Sequence, residues 1–187
     1  MMRKNFGAKP LLYPQPVFII GSYDETGTPN AMTAAWGGIS DDTELSICVG
    51  ERHKTVGNIL DRGAFTVSMG VKDQVVACYY FGLVSGNTEP NQVEKAGFHA
   101  RKAEHVDAPI FDELPLAVEC KLVSYDAGTG RLVGEIVNVC AEERILNENG
   151  MVDPAKLQPL TYDTMNKAYW ILGEKVGDAY HDGLQLK

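Results

Sequence analysis

Several features that mark common classes of protein are missing from this sequence. No stretch approaches the roughly 20 consecutive apolar residues of a membrane-spanning helix. Arg3 and Lys4 lead into a mixed segment and not into the apolar core of a secretion signal. The formal net charge of −8 argues against a nucleic-acid or anionic-membrane surface, because both require a basic footprint. We therefore expect a cytoplasmic protein with no nucleic-acid or membrane partner.

The usual catalytic and nucleotide motifs are also missing. There is no G-x-G-x-x-G after a strand, no P-loop and no G-x-S-x-G. The four histidines lack metal-ligand spacing, and the four cysteines form no C-x-x-C pair. Cys48, Cys120 and Cys140 each lie in an apolar run, so we expect three buried, reduced thiols. We predict no catalytic side-chain set and no metal site, so an enzyme of this kind would rely on a bound cofactor for its chemistry.

The composition is that of an ordinary globular domain. The chain has 187 residues, of which 44% are hydrophobic and 22% are charged. This length is sufficient for one domain, residues 1–187, with a single large core.

Short apolar runs separated by turn residues dominate the sequence and predict a mainly β protein. The strand-like runs are PVFIIGSYD from Pro16, NAMTAAWGGIS from Asn30, ELSICVG from Glu44, GAFTVSMG from Gly63, LAVECKLVSYD from Leu116, GRLVGEIVNVCAEERIL from Gly130 and KAYWILGE from Lys167. The turn DAGTG between the fifth and sixth runs is a strong hairpin signal.

Three short helices are predicted between these strands. Thr55 is a suitable N-cap for VGNILDRG, which would end at Gly63. Asp73 could cap a helix over DQVVACYYFG, and NQVEKAGF would end at Gly97. Many strands with a few short helices favour a closed antiparallel barrel with helices outside it, and a β-sandwich is the alternative.

Two segments carry the residues of greatest chemical interest. ERHKTVGNIL places Arg52, Lys54 and Thr55 just before or at a helix start, where two cations and free backbone N–H groups could hold a phosphate. The alternative is a solvated turn with a capped helix. NAMTAAWGG surrounds Trp36 with small residues, which would let a flat ligand approach the backbone. Alternatively, the alanines only make room for a neighbouring helix.

The ordered set of segments resembles the flavin reductase-like family with an FMN-binding split barrel, most closely its flavoredoxin branch. The segments include GAKPLLYPQPVFIIGSYDETGTPNAMTAAWGGIS, ERHKTVGNIL, GAFTVSM, YFGLVSG, EKAGF, GEIV and YWILGEKVGDAY. The resemblance implies a homodimer of split β-barrels with FMN near the dimer interface.

The resemblance also implies which residues contact FMN. The flavin ring and its ribityl chain would lie against Asn30, Met32, Thr33, Ala34, Ala35 and Trp36. The phosphate would be held by Arg52, Lys54, Thr55 and Asn58. Tyr169 and Trp170 are further candidates as neighbours of the ring, in the same subunit or the other one.

One position departs from the family pattern. Relatives commonly have a lysine after the Ser-Gly pair, and here Gln92 lies near that place with one residue extra. If that lysine assists the phosphate or a nicotinamide donor, this chain handles its electron donor differently.

Three functions are compatible with these observations. The first is an NADH- or NADPH-dependent flavin reductase or oxidoreductase that passes electrons through FMN. The second is a flavoredoxin-type electron carrier with tightly bound FMN and a redox protein partner. The third is a flavin-free binding domain that has kept the barrel but not the site.

Overall fold

A computed structural model describes residues 2–186. Its strands are β1 (Phe18–Tyr23), β2 (Pro29–Ala34), β3 (Gly37–Asp41), β4 (Glu44–Cys48), β5 (Ala64–Met69), β6 (Ala100–Lys102), β7 (Pro109–Phe111), β8 (Leu116–Asp126), β9 (Arg131–Ala141), β10 (Leu160–Asp163) and β11 (Ala168–Ile171). Its α-helices are α1 (Lys54–Arg62), α2 (Val75–Leu83), α3 (Gln92–Lys95) and α4 (Pro154–Leu157). Short 3₁₀ turns cover Lys72–Gln74, Glu143–Ile145 and Asp182–Leu186.

Seven strands form one antiparallel sheet in the order β2-β1-β5-β8-β9-β4-β3. β2 and β3 are consecutive in the chain but lie at opposite edges of this sheet, and only Ala35 and Trp36 connect them. The two edges must therefore meet at this connection, which forces the sheet to curl. The mainly β prediction with short peripheral helices is confirmed, although Val56 and Ile59 of α1 pack into the cluster inside the curled sheet. One continuous sheet favours the barrel over the sandwich.

The barrel is nevertheless not closed by hydrogen bonds. Within residues 2–186 no ladder pairs β2 with β3, so the expectation of a closed barrel is corrected to a split one. The separate pairs β6–β7 and β10–β11 lie beside the main sheet.

The predicted single strand NAMTAAWGGIS was wrong, because the chain changes partners within it. β2 pairs with β1, whereas β3 pairs with β4. A Cβ atom on Gly37 would lie 2.5 Å from the carbonyl oxygen of Ser46, so glycine is what allows β3 to approach β4 at this point. The small residues therefore mark a strand break as well as an approach of two backbones.

β1 has two buried faces, which explains its continuous apolar run. Phe18 and Ile20 pack inside the curled sheet with residues such as Phe65. Ile19 faces the other way and belongs to a second cluster that contains Phe81 of α2. The helices thus cover a sheet that is apolar on both sides.

The other strand predictions differ from the structure mainly at their ends. The hairpin of β8 and β9 forms as predicted, with Gly130 at a φ of 71° in its turn. The sixth predicted run is too long, because β9 ends at Ala141 and Glu143–Ile145 forms a 3₁₀ turn. KAYWILGE contributes β11, which pairs with β10 and not with the main sheet.

Both predicted side-chain caps were wrong. α1 begins at Lys54 with His53 at the N-cap position, and Thr55 lies inside the first turn, where its hydroxyl bonds to Asn30. Asp73 lies in a 3₁₀ turn before α2, whose N-cap is Gln74.

The two glycines predicted to end helices agree with the structure. Gly63 ends α1 in the left-handed conformation, as predicted. α3 is shorter than expected, although Gly97 has the positive φ that ends this segment.

All four cysteines are unpaired, but their burial differs from the prediction. Cys120 is buried as expected, and so is Cys78. Cys48 is exposed because Leu45 and Ile47 point inward on the alternating strand β4, and Cys140 is only half-buried. Burial raises the pKa of the Cys78 thiol to about 11 and that of Cys120 to about 12. Both buried thiols are therefore protonated at neutral pH.

No helix within residues 2–186 is both long enough and apolar enough to cross a membrane.

Candidate functional site

A pocket of about 350 Å³ opens at the point where β2 ends and the chain crosses to β3. Its volume falls within the range of roughly 300–1,000 Å³ that is usual for small-molecule sites. It is lined by Val17, Met32, Thr33, Ala34, Ala35, Trp36, Cys48, Val49, Gly50, His53, Tyr162 and Tyr169. Five of the six residues predicted for ring and ribityl contacts therefore line one cavity.

The first wall of the pocket consists of Met32 to Trp36, and neighbouring side chains fix its shape. The Thr33 hydroxyl donates to the carbonyl of Cys78 in α2, and Gln15 donates its amide to the carbonyl of Ala35. Trp36 is 47% exposed, so its indole borders the opening. The wall is held in place from behind while its small side chains leave the front accessible.

The backbone of this wall is available to a ligand because β2 is an edge strand. In an antiparallel pair, every second residue directs its N–H and C=O away from its partner. β1 occupies one side of β2, and no other described strand occupies the second side. A flat heteroaromatic edge can therefore be recognised by hydrogen bonds that involve no side chain.

The opposite wall runs from the end of β4 to the start of α1; the sequence prediction included the segment ERHKTVGNIL at this helix start but not the three residues before it. Cys48, Val49 and Gly50 lead to His53, the N-cap residue of α1. The Cys48 N–H donates to the carbonyl of Trp36 at 2.7 Å, which ties the two walls together. His53, one of the four histidines without metal-ligand spacing, is exposed and borders the pocket.

Two tyrosines form the third side. Tyr162 of β10 and Tyr169 of β11 pack with their ring centroids 5.6 Å apart. Burial raises the pKa of the Tyr169 phenol, so this residue is neutral at physiological pH. Of the two aromatic residues suggested as ring neighbours, Tyr169 lines the pocket, whereas Trp170 does not and is 62% exposed. Successive strand residues point to opposite faces, so only one of the pair can face inward.

The four residues predicted for the phosphate lie in two different environments. Arg52 is exposed, and Lys54 is half-buried with its ammonium group 3.0 Å from a carboxylate oxygen of Asp24. Thr55 and Asn58 are buried on the inner side of α1. Two cations thus lie at or beside the helix start, while the two neutral groups lie behind it.

Asn30, the sixth residue predicted for the ring side, belongs to that buried polar group. Its Nδ2 donates to the hydroxyl oxygen of Thr55 at 2.8 Å, and its Oδ1 accepts from Nε2 of Gln92 at 2.8 Å. Asn58 donates to the Ser22 hydroxyl at 3.0 Å in the same group. Asn30 therefore connects β2 to the anion end of the site and does not line the pocket itself.

Asp24 is the acidic residue that forms an ion pair with Lys54. Partial burial alone would raise the pKa of its carboxyl, but hydrogen bonds from Thr26, Lys54 and the backbone of Thr28 lower it well below the usual value. Asp24 is consequently ionised at neutral pH and holds the Lys54 side chain across the start of α1.

The geometry agrees with the comparison of the chain with known proteins. The family model of the flavin reductase like domain matches residues 11–169. The chain belongs to this family. The match includes every residue of the pocket and of the polar group behind it. A search of curated protein sequences finds no match.

Solved structures similar to this chain include two flavoredoxins. The flavoredoxin of Desulfovibrio vulgaris (Miyazaki F) is 34% identical over 97% of this chain and 100% of that one, with a TM-score of 0.93. The flavoredoxin from Methanosarcina acetivorans is 29% identical over 100% of both chains, with a TM-score of 0.88. The resemblance to the flavoredoxin branch is thereby confirmed.

A third similar structure shows the fold alone. The FMN-binding domain of a flavin reductases-like enzyme from Shewanella baltica OS155 is 20% identical over 88% of this chain and 89% of that one, with a TM-score of 0.78. The predicted split-barrel fold is confirmed by these likenesses together with the curled, open sheet.

Proposed function

We propose that this protein binds FMN in the pocket at the β2–β3 crossing and uses it to transfer electrons. The observation that carries the proposal is the convergence of the Met32–Trp36 wall, the start of α1 and two tyrosines on one cavity of about 350 Å³. The cavity has the size, the accessible edge backbone and the aromatic side that a flavin ring requires. Membership of the flavin reductase-like family supports the same ligand.

The phosphate of FMN is assigned to the start of α1. The first turn of a nine-residue helix presents free N–H groups, which attract an anion. Arg52 and Lys54 supply positive charge, and the Thr55 hydroxyl and the Asn58 amide are the neutral groups behind them. The ring extends from there along Met32 to Trp36, with Asn30 at the junction between the two ends.

The protein contributes binding and orientation to the reaction. A bound FMN supplies a ring that accepts a hydride or electrons and passes them on. Edge-strand N–H groups fix one side of the ring, and Tyr162 and Tyr169 exclude water from another. His53 and Trp36 border the opening, where a donor would approach.

NADH or NADPH is the electron donor in this proposal. We expect the purified protein, or the protein reconstituted with FMN, to show flavin absorbance, and we expect that absorbance to bleach within seconds when NADH or NADPH is added without oxygen. A colourless purified protein that retains no added FMN once the unbound FMN is removed would contradict flavin binding and favour the flavin-free binding domain.

A second candidate function is electron transfer to a redox protein with FMN permanently bound. Full-length similarity to two flavoredoxins favours it. The two functions differ in two measurements: a carrier retains FMN through gel filtration, and its flavin absorbance is not bleached by NADH or NADPH. Reduction by a reduced redox protein in place of a nicotinamide would support the carrier.

The proposed assembly is a homodimer. Residues 173–186 are exposed, and no hydrogen bond joins them to residues 2–172. Val176, Tyr180 and Leu186 expose apolar surface along this tail. Contact with a second copy would bury that surface and offset the entropy cost of ordering the tail.

A further inference from the structure

Gln92 is a buried polar residue that the proposed function leaves without a role. It begins α3 and is only 1% exposed, yet it lies next to the first turn of α1. Its Nε2 donates to Asn30, and Asn30 in turn donates to the hydroxyl oxygen of Thr55. A continuous chain of hydrogen bonds therefore runs from Gln92 to the anion end of the site.

The direction of this chain depends on Gln92. The hydroxyls of Ser22 and Thr55 can either donate or accept a hydrogen bond, so they are compatible with both orientations of the Asn30 amide. The amide nitrogen of Gln92 only donates, so the oxygen of Asn30 must face it. The nitrogen of Asn30 then faces Thr55, whose oxygen accepts and whose hydrogen remains free to donate to a ligand.

The opposite orientation of Gln92 is less favourable. In the orientation observed, its Oε1 is buried without a hydrogen-bond partner among residues 2–186. Reversing the amide would leave its nitrogen unpaired, and buried N–H groups without a partner are rarer than under-satisfied carbonyl oxygens. Gln92 therefore acts as a fixed donor.

The loop that contains Gly86 holds the chain of hydrogen bonds together. A Cβ atom on Gly86 would lie 2.1 Å from Oδ1 of Asn30 and 3.1 Å from Nε2 of Gln92. The same atom would lie 3.0 Å from Cδ of Lys54. Only a glycine lets this loop lie directly on the two amides and shield them from water.

We propose that Gln92 is a positioning residue for recognition of the FMN phosphate. It orients Asn30, and through Asn30 it directs the hydroxyl hydrogen of Thr55 toward the phosphate at the start of α1. This inference rests on the proposed function. It predicts that changes at Gln92 affect binding of a flavin with a phosphate and leave binding of a flavin without one unaltered.

The test compares FMN with riboflavin, which lacks the phosphate, in fluorescence titrations of the full chain. Gln92→Met keeps a similar side-chain length but cannot donate. We expect its Kd for FMN to rise roughly five- to thirtyfold, the effect of losing one oriented charge-assisted hydrogen bond. The Kd for riboflavin should not change, and equal weakening of both ligands or no weakening would overturn the proposal.

A double-mutant cycle tests whether Gln92 acts through Thr55. Thr55→Val removes the hydroxyl, so adding Gln92→Met should not change the ratio of the FMN and riboflavin Kd values any further. Additive effects on that ratio would overturn the proposal even if Gln92→Met lowers stability. Gly86→Ala should reproduce the loss of FMN selectivity, whereas Gly38→Ala, where a Cβ meets nothing within 4 Å, should not.

Failure of this inference can be distinguished from failure of the proposed function. A wild-type protein that binds neither flavin contradicts both. A wild-type protein that binds FMN and riboflavin equally well keeps its flavin site but does not recognise the phosphate, which overturns the role of Gln92 and the phosphate assignment while flavin binding itself stands.

Discussion

Lys54 has two electrostatic partners in the proposed complex, although only one is present in the free chain. Its ammonium group is ion-paired with Asp24 at 3.0 Å, and its backbone belongs to the first turn of α1. The ion pair holds the long side chain near the helix start, so less rotamer entropy is lost when an anion binds. Within residues 2–186, Arg52 forms no such ion pair.

Replacing Lys54 tests the phosphate end at the scale of one residue. We expect Lys54→Ala to weaken FMN binding by about 1–3 kcal/mol, because a charge-assisted hydrogen bond is lost and Asp24 is left to repel the phosphate. Fluorescence titration with FMN measures the change. Lys121→Ala, which removes an exposed lysine outside the pocket, is the matched control. An unchanged affinity in Lys54→Ala would contradict the assigned site.

The residues of the site differ in whether a local sequence pattern predicts them. Met32 to Trp36 could be predicted because small residues around one aromatic residue are visible in a short window. Gln15, Tyr162 and Gln92 could not, because they reach the site across long sequence separations, such as the 62 residues between Gln92 and Asn30. Apart from Gln92, which was noted as a departure from the family pattern, no local pattern indicates such partners.

At the scale of the secondary-structure elements, the site depends on how closely β3 approaches β4. A side chain on Gly37 would meet the Ser46 carbonyl at 2.5 Å and the Cα of Ile47 at 2.9 Å. Both atoms belong to the backbone, so neither can move aside without separating the strands. The adjacent residue, Gly38, has open space at the same position.

The difference in space beside Gly37 and Gly38 predicts that only one of two neighbouring substitutions lowers stability strongly. Gly37→Ala should destabilise the fold by about 1–3 kcal/mol through overpacking. It should also weaken FMN binding, because β4 ends at Cys48, which lines the pocket. Gly38→Ala should change stability by no more than about 0.5 kcal/mol. Urea denaturation measures the free energy of unfolding of both variants. Equal stabilities would show that β3 and β4 are not closely packed at Gly37.

The β10–β11 pair depends on a different contact. Asp163 at the end of β10 accepts hydrogen bonds from the Tyr13 hydroxyl and from Asn166. These bonds lower the pKa of the Asp163 carboxyl to about 2, with the Tyr13 bond as the main cause. The contact anchors the N-terminal segment to the strand pair that carries Tyr162 and Tyr169 into the pocket.

The stability that this contact contributes should depend on acid pH. The folded-state pKa of Asp163 is lower than its usual value of about 3.9, so the ionised carboxylate stabilises the fold above pH ~4. That contribution is lost as the pH falls from about 4 to about 2. Asp163→Asn should therefore lower Tm most at pH 6 and progressively less toward pH 2. Asp42→Asn, in an exposed turn, is the control, and a Tm difference independent of pH would contradict this role.

At the scale of the whole molecule, local patterns predicted most strands but not how they are arranged. The hairpin of β8 and β9 follows from its turn, because the two strands are adjacent in sequence. The placement of β2 and β3 at opposite edges depends on pairings with β1 and β4, and β4 in turn pairs with the distant β9. The change of strand pairing at Ala35 and Trp36, from β1 to β4, could therefore not be predicted from local sequence patterns, although it creates the pocket.

The exposed tail leads to the last prediction, which concerns assembly. A tail with exposed apolar residues and no hydrogen bond to the rest of residues 2–186 is costly to hold in one conformation unless another surface covers it. We expect the 20.4 kDa chain to elute as a dimer, with a mass about twice that of the monomer by light scattering.

Deleting residues 173–187 should weaken the dimer at least about tenfold, which corresponds to roughly 1.4 kcal/mol of lost contact energy. The double substitution Val176→Ser and Leu186→Ser should weaken it in the same direction without shortening the chain. A full-length protein that remains monomeric at high concentration would contradict the proposed homodimer, and a truncated protein that dimerises as strongly as the full chain would place the interface elsewhere.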